Sequence, residues 1–151
     1  MVWDAAEMAS VTDLSQVVRM NLAIYGTDAV REKLLDHPEY YWRPRMEIAK
    51  YGNDELRTRL LTDERGSVRV RIAEYGNDEH RQQLIDDPYW GVRRMVALQG
   101  TVAMRKALVN DHHQGVRLAV AQTGPHSLRV KLTNDEDFGV RGLARSFVLS
   151  L

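Results

Sequence analysis

The stretch from Asp63 to Asp87, DERGSVRVRIAEYGNDEHRQQLIDD, contains the pattern on which the whole chain is built. Its central glycine belongs to a series with one step of 26 residues followed by three steps of 24: Gly26, Gly52, Gly76, Gly100 and Gly124. A fixed period of about 20–50 residues is the signature of a repeat architecture. The sequence therefore predicts similar structural units of about 24 residues each.

Other residue types recur at constant distances from the glycines. An arginine stands seven residues before each glycine and again after Val140: Arg19, Arg45, Arg69, Arg93, Arg117 and Arg141. A small alanine stands three residues before each glycine: Ala23, Ala49, Ala73, Ala97 and Ala121. A second arginine row follows five residues after each glycine: Arg31, Arg57, Arg81, Arg105 and Arg129. Aspartates recur where one unit passes into the next: Asp13, Asp63, Asp87, Asp111 and Asp135.

The spacing predicts that each unit consists of two short helices with one apolar side. Val68, Ile72 and Ala73 fall on the same side of a helix, and we expect Gly76 to end that helix in a left-handed conformation. Asn77 is placed to cap a second helix. In the last full unit, Pro125 opens the second helix instead, where its missing N–H matters least. A unit of about 24 residues is short enough for at least one of its two helices to be 3₁₀ rather than α, and the sequence does not say which.

Such units must stack to bury their apolar sides, so the sequence predicts an all-α solenoid made of a single domain over residues 1–151. The expected parts are an N-terminal cap, five repeats, and a partial repeat with the C-terminal cap: 1–12, 13–35, 36–62, 63–86, 87–110, 111–134 and 135–151.

The unit from Asp87 to Asp111, with Val92-Arg93, Val96-Ala97 and Gly100, resembles the leucine-rich repeat variant family of bacterial, HEAT-like helical repeats. The resemblance covers about residues 13–145 and implies a right-handed solenoid that alternates an α-helix with a 3₁₀-helix. It implies a binding surface without a defined chemistry. Some members carry a cysteine-ligated iron–sulfur cluster, but this chain has no cysteine, so neither that cluster nor any other cofactor is expected. Ordinary leucine-rich repeats need a strand motif that does not occur here, which argues against a parallel sheet.

The composition narrows the possible partners. Lys and Arg total 21 residues and Asp and Glu total 21, so the formal net charge is zero and no general attraction to nucleic acid or membrane is expected. We found neither a signal sequence nor a transmembrane segment of about 18 apolar residues. The expected location is therefore cytoplasmic, and the expected partner is another protein rather than a membrane.

An aromatic rim is the first candidate partner-binding site. The second repeat gains three residues around Tyr40, Tyr41, Trp42 and Arg43, and Tyr89, Trp90 and Phe138 occupy the corresponding inter-unit loops. Exposed Tyr and Trp side chains are favoured anchors in protein interfaces. The alternative is that Trp42 and one tyrosine cover the edge of the core. A further row, Tyr25, Tyr51 and Tyr75, is either a binding stripe or half-buried packing.

The first arginine row has two interpretations. Because aspartates recur with the same period, an Asp–Arg ladder could tie the units together and cap helix starts. The alternative is a nucleic-acid or phosphate-binding surface, which neutral charge and matched aspartates make the weaker hypothesis. His37, His80, His112, His113 and His126 are the candidates for metal binding or general-base catalysis. They have no zinc-like spacing, and no catalytic motif is present, so we expect neither a metal site nor an enzyme.

The last segment, Val140 to Leu151, places Leu143, Phe147 and Leu151 on one apolar face. This face either closes the stack or forms a homodimer or partner contact. The sequence as a whole favours a non-enzymatic protein–protein interaction scaffold that uses its concave face or the aromatic rim.

Overall fold

The computed structural model describes residues 15–37 and 41–150. Within these residues every regular element is an α-helix, which confirms the all-α class. The predicted N-terminal cap, Asp13, Tyr40 and Leu151 lie outside the described residues.

The chain divides into two compact units, Met1–Gly76 and Asn77–Leu151. The helices of the amino-terminal unit are α1 (Gln16–Tyr25), α2 (Asp28–Leu35), α3 (Trp42–Tyr51), α4 (Asp54–Leu60) and α5 (Gly66–Tyr75). Those of the carboxy-terminal unit are α6 (Asp78–Gln83), α7 (Trp90–Gln99), α8 (Val102–Leu108), α9 (Gln114–Thr123), α10 (His126–Leu132) and α11 (Phe138–Leu149).

Each unit is a layer of long helices with shorter helices against it. In the amino-terminal unit α1 packs on α3 and α3 on α5, and in the carboxy-terminal unit α7 packs on α9 and α9 on α11. The short helices α2, α4, α8 and α10 each contact the long helix that precedes them. They are α-helical rather than 3₁₀, so the α/α alternative describes them.

The core of each unit comes from the predicted positions. In α5, α7 and α9 the valine, the branched residue and the alanine are all fully buried, as in Val92, Val96 and Ala97, whereas Val18 of α1 is half-buried. Leu108 and Leu132 of the short helices are also buried. The alanine matters because its small side chain permits the close approach of the helix backbones across the layer.

The expected left-handed conformation of the repeated glycines is wrong. At Gly52 φ is −75° and ψ is 169°, and no described glycine has a positive φ. Gly52 instead ends α3 by extended backbone, with its N–H donating to the Ile48 carbonyl at 2.8 Å. A Cβ atom at this position would lie 2.7 Å from the Ile48 oxygen and 3.0 Å from Leu56 Cδ1. Glycine is needed here because the chain passes too close to its own helix end for a side chain.

The short helices begin as expected. Thr27, Asn53, Asn77 and Thr101 each accept the N–H of the residue three positions on with their side-chain oxygen. Pro125 stands at the N-cap of α10, one position before the helix that it was expected to open.

None of the described helices is both long and apolar enough to cross a lipid bilayer.

Candidate functional site

Arginines of the first row bind aspartates eighteen residues further along the chain. In the carboxy-terminal unit, Arg93 Nε donates to Asp111 Oδ2 at 2.7 Å and Arg93 Nη2 to Asp111 Oδ1 at 3.0 Å. Arg117 pairs with Asp135 in the same two-pronged way, at 2.8 and 2.9 Å. The side chains of Arg93 and Asp111 are only 6% and 5% exposed. This geometry gives a planar, directional pair that is removed from water.

The third nitrogen of each guanidinium, Nη1, donates to a main-chain carbonyl of another ladder aspartate. Arg93 Nη1 donates to the Asp87 carbonyl at 2.7 Å, and Arg117 Nη1 to the Asp111 carbonyl at 2.9 Å. Asp111 therefore accepts from Arg93 on its side chain and from Arg117 on its main chain. Arg141 continues the series with a bond to the Asp135 carbonyl at 2.5 Å.

The amino-terminal unit contains the same arrangement. Arg45 Nε donates to Asp63 Oδ2 at 2.6 Å, and Arg69 Nη1 donates to the Asp63 carbonyl at 2.5 Å. Arg19 is buried, and its guanidinium carbon lies 5.8 Å from the ring centroid of Tyr41.

The aspartates do not bind the free N–H groups of the first helical turn. Asp111 Oδ1 accepts the His113 N–H at 2.9 Å, and Asp135 Oδ1 accepts the Asp137 N–H at 2.8 Å. Both donors belong to the residue that precedes the helix, so the aspartate closes the turn before it. The helix cap comes from the next polar residue instead, since Asp137 Oδ1 accepts the Val140 N–H of α11.

These bonds shift the pKa of the aspartates. Burial alone would raise the pKa of Asp111, but the hydrogen bonds from Arg93 and the His113 N–H outweigh it and lower this pKa. The pKa of Asp135 is lowered in the same way, with burial opposed by Arg117 and the Asp137 N–H. Both carboxylates are consequently charged in neutral solution and matched by a guanidinium.

The second arginine row has a role that sequence reasoning missed. Arg105 Nε donates to the Ala97 carbonyl at 2.8 Å and Arg105 Nη2 to the Leu98 carbonyl at 3.0 Å. Arg31, Arg57 and Arg129 make the equivalent pairs of bonds from their own short helices. The last carbonyls of a helix have no partner within it, so these arginines close the ends of the long helices. The constant distance of eight residues between the alanine and the arginine was the available signal.

The aromatic residues of the rim stand at helix starts rather than within loops. Trp42, Trp90 and Phe138 are the first residues of α3, α7 and α11. In the carboxy-terminal unit the Trp90 ring stacks on His113 with centroids 4.1 Å apart and planes 7° apart. Trp90 is still 37% exposed, Tyr89 is exposed beside it, and Phe138 is 80% exposed. In the amino-terminal unit Tyr41 and Arg43 are exposed and Trp42 is half-buried.

The tyrosine row of the amino-terminal unit is exposed, and a lysine connects two of its members. Lys50 Nζ lies 4.6 Å from the ring centroid of Tyr51 and 5.5 Å from that of Tyr75. A hydrogen bond with Tyr51 raises the pKa of Lys50. Tyr25 is 81% exposed. Sequence reasoning did not single out Lys50.

His80 and His113 each have a structural role at the start of a helix. His80 is buried and forms a capping box with Asn77, in which His80 Nδ1 accepts the Asn77 N–H at 3.2 Å. His113 Nδ1 accepts the Gly115 N–H at 3.1 Å at the start of α9. Across residues 15–37 and 41–150, no three His, Asp or Glu side chains are placed to hold a metal ion.

An open groove of about 400 Å³ lies in the carboxy-terminal unit, beside the turns that follow α8 and α10. Its lining includes the polar side chains Asn110, Lys131 and Asn134, with Val109 and Leu132 contributing apolar surface. Sequence reasoning did not predict this groove, because it is formed by two turns 24 residues apart.

No protein-family model, curated protein or solved structure matches this chain. The resemblance to the leucine-rich repeat variant family therefore stays a prediction from the residues quoted above.

Proposed function

We propose that this chain is a non-enzymatic scaffold that binds a protein partner through its aromatic rim. The rim comprises Tyr41, Trp42 and Arg43 in the amino-terminal unit and Tyr89, Trp90 and Phe138 in the carboxy-terminal unit. Tyr40 was predicted with them and lies outside the described residues.

One observation carries this proposal: the rings are exposed although the core beneath them is already closed. Val92, Val116 and Val140, two residues after each helix start, are completely buried, whereas Tyr89 is 44% and Phe138 80% exposed. An exposed ring costs solvation and contributes little to folding, whereas Tyr and Trp are enriched among residues that dominate binding energy. Trp90 is also held in one orientation by His113, which reduces the entropy that binding would cost.

The contacts of the arginine rows weigh against the alternative, nucleic-acid or phosphate binding. Arg93 and Arg117 each use all three guanidinium nitrogens on aspartate and carbonyl oxygens. To bind a phosphate, either arginine would have to leave a buried carboxylate without its partner, which is costly. Any nucleic-acid affinity should therefore be weak, and steep salt dependence would be its sign.

Affinity capture of the tagged full chain from its host, with and without nuclease, tests the proposal. We expect a stoichiometric protein partner that survives nuclease and is lost from Trp90→Ala and Phe138→Ala. Tyr25→Ala is the matched control, because it removes an equally exposed ring outside the rim. If both rim variants still captured the partner fully, the rim would not be the binding site. If the captured proteins disappeared after nuclease treatment, nucleic-acid binding would be favoured.

The right-handed solenoid of about 24-residue repeats and its concave face belong to the same proposal, as do a bacterial source and a cytoplasmic location. Small-angle X-ray scattering would test the solenoid, which requires a more elongated particle than a compact domain of about 150 residues. Homodimerisation through α11 is a separate prediction, and a monomeric mass at high concentration would exclude it.

A further inference from the structure

The tyrosine row of the amino-terminal unit contains two rings that a lysine places close together. Tyr51 ends α3 and Tyr75 ends α5, and these two helices pack against each other. Lys50 Nζ lies 4.6 Å from the ring centroid of Tyr51 and 5.5 Å from that of Tyr75, so the two centroids are at most about 10 Å apart, the sum of these distances. The tyrosines are 43% and 39% exposed. Tyr25 has no cation beside its ring among the described residues and is not part of this pair.

The fold does not require these two tyrosines. Ile48 and Ile72, three residues before them, are completely buried. Gln99 and Thr123 stand at the equivalent last position of α7 and α9, so a long helix of this chain can end without tyrosine. The Tyr75 hydroxyl forms no hydrogen bond within residues 15–37 and 41–150. The outer part of the pair is therefore available to a partner.

The charges around the rings cancel. The Arg71 guanidinium carbon lies 5.9 Å from the ring centroid of Tyr75, and Arg71 Nη1 binds Glu74 at 2.8 Å. Glu47 acts electrostatically on both Lys50 and Arg71 and raises the pKa of each. Two cations are thus offset by two carboxylates. The surface has no excess positive charge to attract the phosphates of a nucleic acid, so its partner has to be recognised by shape and hydrogen bonding.

The polar group between the two rings is a hydrogen-bond donor. The Lys50 stem is half-buried while its ammonium stays open to solvent, and an ammonium has three donor hydrogens and no acceptor. Proline is the complement of such a site, because its main chain has a carbonyl acceptor but no N–H. Its apolar ring can also pack on the face of a tyrosine.

The separation of the rings suits a proline-rich chain. A polyproline II helix has three residues per turn and rises about 3.1 Å per residue, so the same side recurs about every 9 Å. This repeat falls within the distance between the two ring centroids. The carbonyls of this helix have no internal hydrogen bonds, which leaves them free to accept from Lys50. Aromatic-lined surfaces bind such segments cheaply, because the conformation is already formed before binding.

We propose that Tyr51, Tyr75 and Lys50 form a docking surface for a proline-rich segment of a partner protein in the polyproline II conformation. One proline packs on each ring, at positions three residues apart, and Lys50 donates to a main-chain carbonyl between them. The inference extends the proposed function, since it names the chemistry of one part of a partner. It uses no residue of the aromatic rim.

The test is an NMR titration of the full chain labelled with ¹³C in its tyrosine rings. The probe is an acetylated proline decamer, with a glycine–serine peptide and an oligothymidine of equal length as comparisons. We expect the proline decamer to shift the rings of Tyr51 and Tyr75 at millimolar concentration and to leave Tyr25 and Tyr89 unchanged. The glycine–serine peptide should bind about ten-fold more weakly or not at all, because it is not preorganised.

Variants separate the contributions. Tyr51→Ala and Tyr75→Ala should each weaken the proline decamer about ten-fold, as for an aromatic anchor of an interface. Lys50→Met keeps the stem and should weaken it about five-fold, as for one lost hydrogen bond. Tyr89→Ala is the matched control, because it removes a ring of nearly equal exposure, 44%, from the carboxy-terminal unit and should change nothing. Circular dichroism verifies that each variant keeps its helices.

Four results would overturn the inference. They are no shift of either ring, equal binding of the glycine–serine peptide, tighter binding of the oligothymidine than of the proline decamer, and a loss in Tyr89→Ala as large as in Tyr51→Ala. Failure here, with host capture still dependent on Trp90 and Phe138, would remove this surface and leave the rim. Binding of the proline decamer without rim-dependent capture would do the reverse.

Discussion

Arg93 shows at the scale of one residue how the ladder stabilises the protein. Its guanidinium has a carboxylate on one edge, a carbonyl on another and His112 Nε2 at 3.1 Å from Nη2. An isolated surface ion pair contributes at most about 1 kcal/mol, but a buried one leaves a charge without a partner when it is broken. The consequence of losing Arg93 therefore depends on the burial of Asp111.

Arg93→Met should lower the free energy of unfolding by about 3 kcal/mol, because the Asp111 carboxylate stays buried without a guanidinium. Arg94→Met is the matched control: it removes the next residue of the same helix, which makes no ion pair among the described residues. Urea unfolding at neutral pH measures the free energy of unfolding of both variants. Equal effects of the two substitutions, or unchanged stability together with lost nucleic-acid binding, would contradict the ladder.

Glycine substitutions should have opposite signs at two positions of the carboxy-terminal unit. A Cβ atom on Gly100 would lie 2.6 Å from the Val96 carbonyl oxygen, whereas one on Gly142 would meet nothing within 4 Å. Gly100→Ala should then destabilise by about 1–3 kcal/mol, as overpacking does. Gly142→Ala, inside α11, should stabilise by about 0.5–1 kcal/mol through the entropy of the unfolded chain. Stabilisation by both would show that the chain relaxes easily around Gly100.

At the scale of the element, the long helices α1, α3, α7 and α9 are each closed at the carboxyl end from two directions. The glycine N–H binds a carbonyl of the last turn, as Gly100 binds Val96 O at 2.8 Å, and an arginine of the next helix binds two further carbonyls. Because these carbonyls are satisfied locally, the long helix can pack by its apolar side alone. The alanine then sets how closely the next long helix approaches.

Ala97→Leu should lower the melting temperature, since Ala97 is fully buried in the layer that contains α7 and α9. Forcing three more carbons into this contact should cost about 1–3 kcal/mol. Ala103→Leu makes the same chemical change on the exposed side of α8 and should stay within about 0.5 kcal/mol of the parent. Thermal unfolding followed by circular dichroism compares the melting temperatures of the two variants. An unchanged melting temperature in Ala97→Leu would argue against close alanine packing.

At the scale of the whole molecule, the formal net charge is zero, yet many of the charged side chains form ion pairs within the fold. The 21 cationic and 21 acidic residues cancel in total. Several cancel pairwise inside each unit, in the bonds from Arg45 to Asp63 and from Arg117 to Asp135. A molecule built in this way should respond strongly to acid although it has no net charge to begin with.

Stability should fall as the pH drops below about 4. The pKa of Asp135 is lowered by folding from an unfolded value of about 3.9. Its stabilising contribution is therefore complete above about pH 4 and is lost as the pH falls through the folded-state value. Asp135→Asn should be less stable than the parent at pH 7 and should approach it near pH 2. Urea unfolding between pH 2 and pH 7 measures this dependence. If the free energies of unfolding of the parent and Asp135→Asn changed in parallel with pH, the Asp135 carboxylate would not be the cause.

The sequence alone determined the helical class, the buried positions and the caps of the short helices, because these follow from local periodicity and from side chains three to five residues apart. It also identified Arg93 and Asp111 as members of one period. Only the tertiary structure decided that they pair, that Arg105 closes the end of α7, and that Gly100 is glycine for space rather than for φ. Those facts depend on how closely neighbouring helices, segments eighteen residues apart, or a helix and the chain that leaves it approach each other. The groove between Asn110 and Asn134 has the same origin: spacing places the two asparagines in equivalent turns, but packing brings those turns to one surface.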